Sequence, residues 1–241
     1  MSISTEGLVM HDDDILAIRG IPLFSTMSYQ HFDDLFQGAY LQAFPQQLEL
    51  IVEGDPADFL HILLEGTVEL FSSANDRQAT IFVLRSIAIY NVSAVLENAV
   101  YLMSARTLSK ARILMIPARD LRNVMEVDPA FANAMAAELA KRYRMAIKSL
   151  KEHRLRSGIE RLANYLLRAN AQASNDGRIE LTEDKRKLAA LLGMTPEYFS
   201  RVLNNLKDYG VEVTGNKIHL KSLDALVDLA KPNPLIDRKI I

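Results

Sequence analysis

Apolar residues recur along this chain with two different periods, and the places where the period changes divide it. From Tyr40 to about Pro117 the period is two, the alternation of half-buried strands. Leu41-Gln42-Ala43-Phe44 and Leu48 to Val52 read as strands. EGDPADFLHILLEGTVELF follows, Glu53 to Phe71. Gly54-Asp55-Pro56 supplies turn chemistry, Phe59 to Leu64 a strand, Glu65-Gly66 a tight turn and Thr67 to Phe71 the returning strand. Ala79 to Leu84 and Ile113 to Ile116 add two more. Short strands at regular spacing predict an antiparallel sandwich or jelly roll. Ahead of it, residues 1–20 read as a mobile or loosely packed lead in which Ile15, Leu16, Ile18 and Ile21 make one apolar turn. Ser28 or Thr26 then caps a short helix that buries Phe32, Leu35 and Phe36.

Beyond Pro117 the period lengthens to three and four. Leu121 to Val127 predicts a short helix. Asp128-Pro129, a cap followed by proline at the first helical position, opens a long helix running to about Arg154. Ala136, Leu139, Tyr143, Ala146, Leu150 and His153 alternate at three and four, a seam of more than two heptads. Lys141, Arg142, Arg144, Lys148 and Lys151 lie mostly off it. An amphipathic helix packed on its own domain would look similar. A position between two folding units favours a parallel dimer helix, with Leu139, Tyr143, Ala146 and Leu150 as its contacts. His153 to Gly158 reads as a hinge, with Ser157-Gly158 breaking the pattern. Ile159, Leu162, Ala163, Leu166 and Leu167 then mark a helix, Ala173 to Gly177 a polar loop, and Ile179-Glu180-Leu181 a short strand.

The stretch TEDKRKLAALLGMTPEYFSRVLNNLKDYG, Thr182 to Gly210, carries the most specific pattern. Leu188, Leu191 and Leu192 recur helically before Gly193; Phe199, Val202, Leu203 and Leu206 recur helically after it. Gly193 takes positive φ without steric cost, Thr195 offers a capping hydroxyl, and Pro196 stands at the first helical position. Ala189, four residues before the glycine, lets two helices cross closely. Together these predict a helix-turn-helix. Val211-Glu212-Val213, the turn Gly215-Asn216 and Ile218-His219-Leu220 form a hairpin or wing, Asp224 to Leu229 one or two helical turns, and Lys231 to Ile241 a tail. The outward face of the second helix carries Glu197, Ser200, Arg201, Asn204 and Asn205. A carboxylate accepts from cytosine N4, and a guanidinium donates twice to guanine O6 and N7. Both stand in the first turn and a half, the part of a recognition helix that reaches base edges.

Composition narrows the classes. In 241 residues 49% are hydrophobic and 24% charged, enough apolar material for real cores. No apolar run is long enough to span a bilayer, and Asp12-Asp13-Asp14 stands where a secretory leader would be basic, so a cytoplasmic location is expected. The absence of cysteine excludes disulfides, thiolate-held clusters and redox thiols. Net charge is -2, but unevenly spread. Residues 1–150 hold 12 Lys/Arg against 18 Asp/Glu, a net of -6; residues 151–231 hold 14 against 11, a net of +3. A cationic back half suits phosphate contacts. No nucleophile elbow, phosphate-cradling glycine loop or HExxH motif occurs, so no enzyme is expected.

Two motifs, GDPADFLHILLEGTVELF and TPEYFSRVLNNLKDYG, set in this order of parts, resemble the Crp–Fnr family of bacterial transcription regulators over roughly Leu23 to Leu226. The resemblance implies an α+β chain with four parts. They are an N-terminal antiparallel β-roll of the cyclic-nucleotide-binding jelly-roll type over residues 1–127, a dimerisation helix and hinge over 128–156, a winged helix-turn-helix over 157–231, and a tail from 232. It also implies a homodimer, with double-stranded DNA and RNA polymerase as partners. Glu197-x-x-Ser200-Arg201 matches the Fnr branch, whose members resemble readers of TTGAT-type half-sites. The catabolite-activator branch has arginine at the position of Pro196 and glycine at that of Ser200. By carry-over Glu197, Ser200 and Arg201 read bases, and Thr195, Tyr198 and Asn204 complete the DNA-facing set. Pro-Glu-x-Phe-Ser-Arg is also similar to the recognition helix of denitrification regulators.

The departures concern the effector. Members that bind cyclic AMP carry a Gly-Glu pair and an Arg-Ser pair. Here IYNVSAVL, Ile89 to Leu96, has neither Gly nor Glu, and YLMSARTL, Tyr101 to Leu108, keeps Ser104 but puts Met103 at the arginine position, with Arg106 two residues after Ser104. Without that guanidinium a cyclic phosphate loses a bidentate charge-assisted contact, so cyclic AMP is not expected. The family's cysteine-held iron–sulfur sensing is excluded. What remains is an apolar candidate pocket, Ile87, Ile89, Val92, Val95, Leu96, Leu102 and Met103, with Ser104 beside it. The same residues would equally serve as plain core filling. An apolar ligand, or a haem sensing nitric oxide with His11, His31 or His61 as axial donor, would suit such a pocket. His61, set among apolar strand neighbours, reads more simply as a half-buried strand histidine. A ligand-binding module with degraded DNA reading, acting through protein partners, is the alternative to a sequence-specific regulator.

Overall fold

The computed structural model describes residues 12–75, 77–173, 175–181 and 185–237. They fall into two compact units that divide between Ala140 and Lys141.

The first unit is built on two four-stranded antiparallel sheets. Its strands are β1 (Tyr40–Phe44), β2 (Glu49–Ile51), β3 (Phe59–Glu65), β4 (Thr67–Ala74), β5 (Arg77–Arg85), β6 (Ala88–Tyr90), β7 (Ser104–Thr107) and β8 (Ala111–Pro117). One sheet runs β1-β8-β3-β6 and the other β2-β7-β4-β5, with every neighbouring pair antiparallel. A single apolar core draws on both: Leu60 and Ile62 from β3, Val68 and Leu70 from β4, Ala105 from β7, Ile113, Leu114 and Ile116 from β8. Helices α1 (Asp12–Arg19), α2 (Tyr29–Gln37), α3 (Val92–Glu97) and α4 (Ala118–Val127) add to it. Ser28 caps α2, its hydroxyl accepting from the His31 amide at 3.1 Å, and Phe32, Leu35 and Phe36 are buried as their spacing predicts. α5 (Pro129–Leu155) starts in this unit. The Asp128 carboxylate caps it, accepting from the Phe131 amide at 3.0 Å, while Phe131 stacks on Phe24 with ring centroids 5.9 Å apart.

The second unit holds the rest of α5, then α6 (Gly158–Gln172), β9 (Arg178–Glu180), α7 (Lys185–Leu191), α8 (Pro196–Asn205), a 3-10 turn (Leu206–Tyr209), β10 (Val211–Thr214), β11 (Lys217–Leu220), α9 (Leu223–Ala230) and α10 (Pro234–Asp237). The wing is a three-stranded antiparallel sheet, β10-β11-β9, in which Val211 faces Leu220 and Ile218 faces Ile179. Its core joins Leu162 and Leu166 of α6 to Leu188, Phe199, Val202, Val211 and Leu226.

Three expectations need correction. The lead is docked from Asp12 onward: Ile18 is fully buried, and Asp14 accepts two hydrogen bonds from Arg112 Nη2 at 2.9 and 2.8 Å. An acidic run hides such a pairing because its partner lies 98 residues away. The Ser157-Gly158 break is a helix start. Ser157 caps α6 in a reciprocal capping box, its amide donating to Glu160 Oε2 at 2.7 Å, and Gly158 is the first helical residue. The described part of the tail is also ordered against the fold, with Ile236 buried and Asp237 ion-paired to Arg156 and Arg168. The periodicity also passed over β6, β7 and α3. Each is short, and α3 is entered through Asn91 in the left-handed region at φ 64°.

Asp14→Ala is expected to destabilise the first unit by roughly 1.5–3 kcal/mol, the range for hydrogen bonds to a charged group. Urea titration measures it, and an unchanged midpoint would mean that the Asp14–Arg112 pairing adds nothing to the stability of the roll.

Candidate nucleic-acid interface and roll cavity

The second helix of the helix-turn-helix is fixed in rotation by what it buries. Phe199, Val202, Leu203 and Leu206 are 0–7% exposed, so the opposite face of α8 must point to solvent. Gly193 turns the chain at φ +63°, where a side chain would be strained. Thr195 caps α8, its hydroxyl accepting from the Tyr198 amide at 3.2 Å. Arg161 of α6 closes the other side of the turn, donating from Nε to the Leu192 carbonyl at 2.9 Å. These contacts satisfy polar groups that the end of α7 would otherwise leave open.

All six residues expected to face DNA are exposed: Thr195, Glu197, Tyr198, Ser200, Arg201 and Asn204. The Arg201 guanidinium lies 5.7 Å from the Tyr198 ring centroid. The Tyr198 ring also rests on the start of α6, where a Cβ added to Gly158 would come within 2.6 Å of it. Ser200 Oγ donates to the Pro196 carbonyl at 2.9 Å. The Glu197 carboxyl is held below the ordinary carboxylate range, first by its own backbone N–H and then by Thr195, with Arg186 and Arg201 adding positive potential. Lys185 and Arg186 extend the exposed cationic surface at the start of α7. Sequence reasoning had not singled them out, although the run Lys185-Arg186-Lys187 was available as a signal.

On the expected dimer helix, Leu139 belongs to the first unit and packs partly against the roll core. In the second unit Tyr143 is 68% and Leu150 52% exposed, and Ala146 is exposed with them. Ile147, 37% exposed, lies four residues after Tyr143 and three before Leu150, and so belongs to the same face. The seam read from sequence omitted it.

The roll residues do not assemble as expected. Ile89, Val92 and Val95 are buried in the core, and Met103 packs partly against it. Leu102 is 71% exposed, so it stands apart from them. Ser104 is buried with its Oγ accepting from the Glu53 amide at 3.0 Å. A cavity of about 250 Å3 lies elsewhere in the roll, lined by Gln42, Phe44, Leu48, Glu49, Leu50, His61, Ile113 and Met115. His61 is 4% exposed and stacks on Tyr90 at 5.1 Å between centroids. Among the described residues neither His61 Nδ1 nor Tyr90 Oη has a hydrogen-bond partner. Burial pushes the His61 pKa down to about 4, against a smaller opposing pull from the Phe59 backbone, so the ring is neutral at neutral pH.

Comparison with known proteins decides the family. The cyclic nucleotide-binding domain profile matches residues 41–128, and the Crp-like helix-turn-helix domain profile matches residues 160–229. The cyclic AMP receptor protein of Thermus thermophilus is 26% identical over 196 residues, covering 80% of this chain and 89% of that one. The chain belongs to the Crp–Fnr family. It is a Crp–Fnr-like DNA-binding transcription regulator with a cyclic-nucleotide-binding-type domain. Two solved structures share the fold. A CooA variant from Carboxydothermus hydrogenoformans aligns with a TM-score of 0.70 at 19% identity, over 87% of this chain and 94% of that one. FixK2 from Bradyrhizobium japonicum aligns with a TM-score of 0.65 at 20% identity, over 79% of this chain and 96% of that one.

Within this Crp–Fnr roll, Arg106 is the cation nearest the expected phosphate-binding arginine position in sequence, and it is already engaged. It faces Glu69 across β4 and β7 and donates to Glu69 Oε2 at 2.6 Å, while Thr80 donates to Oε1 at 2.5 Å. Its guanidinium carbon lies 4.8 Å from the Phe71 ring centroid. An incoming phosphate would have to displace a carboxylate that is itself largely buried, which is costly. The cavity beside His61 does not fit a haem either. His11 lies outside the described residues. His31 Nδ1 is 2.9 Å from Asp128 Oδ2, in the cap of α5. The cavity beside His61 is smaller than the roughly 300–1,000 Å3 of pockets that bury drug-sized ligands.

A His61→Phe variant isolates the buried imidazole. The unfolded chain binds the His61 proton near pH 6.5, the folded chain only near pH 4, so stability present above pH 6.5 is lost as pH falls. Between pH 7.5 and 4.5 the wild type should lose about 2–3 kcal/mol that the variant keeps, in addition to losses common to both. Urea titrations at the two pH values read the difference, and parallel losses would mean that His61 titrates normally.

Proposed function

We propose that this protein is a homodimeric regulator whose α8 reads TTGAT-type half-sites and whose roll answers to an effector other than cyclic AMP. The observation that carries the DNA reading is the sorting of α8: an apolar row buried, with Glu197, Ser200 and Arg201 together on the exposed side. A carboxylate, a hydroxyl and a guanidinium at i, i+3 and i+4 occupy one helix face and meet consecutive base edges in a major groove. Lys185 and Arg186 supply cations for the flanking phosphates.

The pairing of two chains rests on Tyr143, Ile147 and Leu150, an exposed apolar stripe on a long helix whose natural cover is the same stripe of a second copy. Two heads would then enter successive major grooves about 34–36 Å apart. The effector reading rests on Arg106, whose Nη2 already pairs with Glu69, on Ser104, whose Oγ already accepts from the Glu53 amide, and on the cavity beside His61. A small uncharged molecule carrying one hydrogen-bonding group suits that cavity, since His61, which lines it and whose Nδ1 has no hydrogen-bond partner among the described residues, is neutral. RNA polymerase is the partner such a regulator would address from the DNA, in the cytoplasm.

Fluorescence anisotropy on a palindrome of TTGAT half-sites tests the DNA reading. Arg201→Ala should cost roughly 1–3 kcal/mol and relax one base position. Equal weakening on a scrambled duplex would make Arg201 a phosphate contact. Absence of sequence preference at every salt concentration would instead favour a ligand module with degraded DNA reading. Cyclic AMP at millimolar concentration should leave both the melting temperature and the DNA affinity unchanged; a clear rise in either would overturn the effector reading.

A further inference from the structure

The end of α5 and the start of α6 are tied together from an unexpected direction, the C-terminal helix α10. Arg156, the residue before the α6 cap, has a side chain only 6% exposed. Its two terminal nitrogens donate to both oxygens of Asp237, at 2.8 and 2.6 Å. Arg168 of α6 donates to the same carboxylate at 2.8 Å and to Glu152 of α5 at 3.0 Å. Glu152 in turn lies 3.5 Å from Arg156. Two arginines and two carboxylates balance. Burial alone would raise the Asp237 carboxyl, but Arg156, the Asn233 amide and Arg168 hold it below the ordinary range.

This cluster connects to the helix-turn-helix through one residue. The Arg156 carbonyl accepts from Arg161 Nη1 at 2.8 Å, and the same guanidinium donates to the carbonyls of Leu192 and Gly193 at 2.9 and 3.4 Å. His153 meets the turn as well: a Cβ added to Gly193 would sit 2.9 Å from its Cε1. The apolar core of the unit runs from Leu162 to Ala230 and does not draw on α10. Asp237 therefore contributes orientation more than bulk. A forked arginine–carboxylate pair fixes an angle as well as a distance, which a single apolar contact does not.

We infer that Asp237 is a positioning residue. Through Arg156 and Arg161 it sets the angle at which the helix-turn-helix leaves the last turns of α5, and so the separation at which two heads meet DNA. The inference rests on the dimeric DNA reading proposed above for its consequence, but not for the clasp itself.

Three full-length proteins and one shortened chain test it: wild type, Asp237→Asn, the conservative Asp237→Glu, and a chain stopped after Lys231. Hydrogen exchange without DNA reads the clasp. Asp237→Asn and the shortened chain should exchange about tenfold faster over residues 152–161 and 188–195, with Asp237→Glu close to wild type. Anisotropy on TTGAT palindromes lengthened or shortened by one base pair reads the consequence. The wild type's preference for one spacing should fall about fivefold in Asp237→Asn and return in Asp237→Glu, while binding to a single half-site stays unchanged. Exchange within twofold of wild type overturns the clasp. Faster exchange with an unchanged spacing preference, or equal weakening on every spacing and on the half-site, reduces Asp237 to a stabilising contact and overturns positioning. If the wild type ignores all these duplexes, the DNA reading fails, and the exchange experiment still decides the clasp.

Discussion

The rotation of α8 about its own axis is the constraint on which the functional surface depends. Successive residues of a helix are set about 100° apart, so a slip of one position would carry Arg201 toward the core and Phe199 toward water. Phe199, Val202, Leu203 and Leu206 forbid it, because burying an unpaired guanidinium costs far more than the helix gains. The supporting parts follow from that setting. Gly193 turns the chain without strain, Thr195 and Pro196 start the helix at one defined residue, and Gly210 ends the 3-10 turn in the left-handed region so that the wing can begin.

The roll presents the complementary case. It keeps the two-sheet architecture of a cyclic-nucleotide-binding domain while directing its polar side chains at one another. Glu69 occupies Arg106, and the Glu53 amide occupies Ser104. The expected pocket residues Ile89, Val92 and Val95 serve the core. The polar groups left without a protein partner include His61 Nδ1 and Tyr90 Oη, which lie together in an apolar setting where an unmet hydrogen bond is expensive.

Much of this was legible in the sequence because it is local. Caps such as Ser28, Asp128 and Thr195, the proline after each of the latter two, and apolar spacing within one helix or strand are decided by neighbours a few residues away. The exposed face of α8 was legible for the same reason: whatever the apolar row does not claim must face out. The missing parts are contacts between distant positions. Asp14 meets Arg112 across 98 residues, and Asp237 meets Arg156 across 81. No periodicity marks such a pair, so an acidic run looks solvated and a proline-containing terminus looks like a tail. Glu69 with Arg106 is hidden likewise, since β7 leaves no clear period and only the β4–β7 register sets the two opposite each other.

The Ser200 hydroxyl has a consequence for which bases α8 could recognise. Its one hydrogen is already given to the Pro196 carbonyl, so only lone pairs remain for an operator. Glu197, kept ionised, likewise has nothing to donate. Two of the three groups proposed to read bases would thus be acceptor-only, with the exocyclic amines adenine N6 and cytosine N4 as their complements; the Arg201 fork alone would seek the guanine edge. Swapping an amino-bearing base for one that presents a carbonyl oxygen would leave two lone pairs facing each other, a mismatch that rejects the wrong site more firmly than the right contact attracts the correct one.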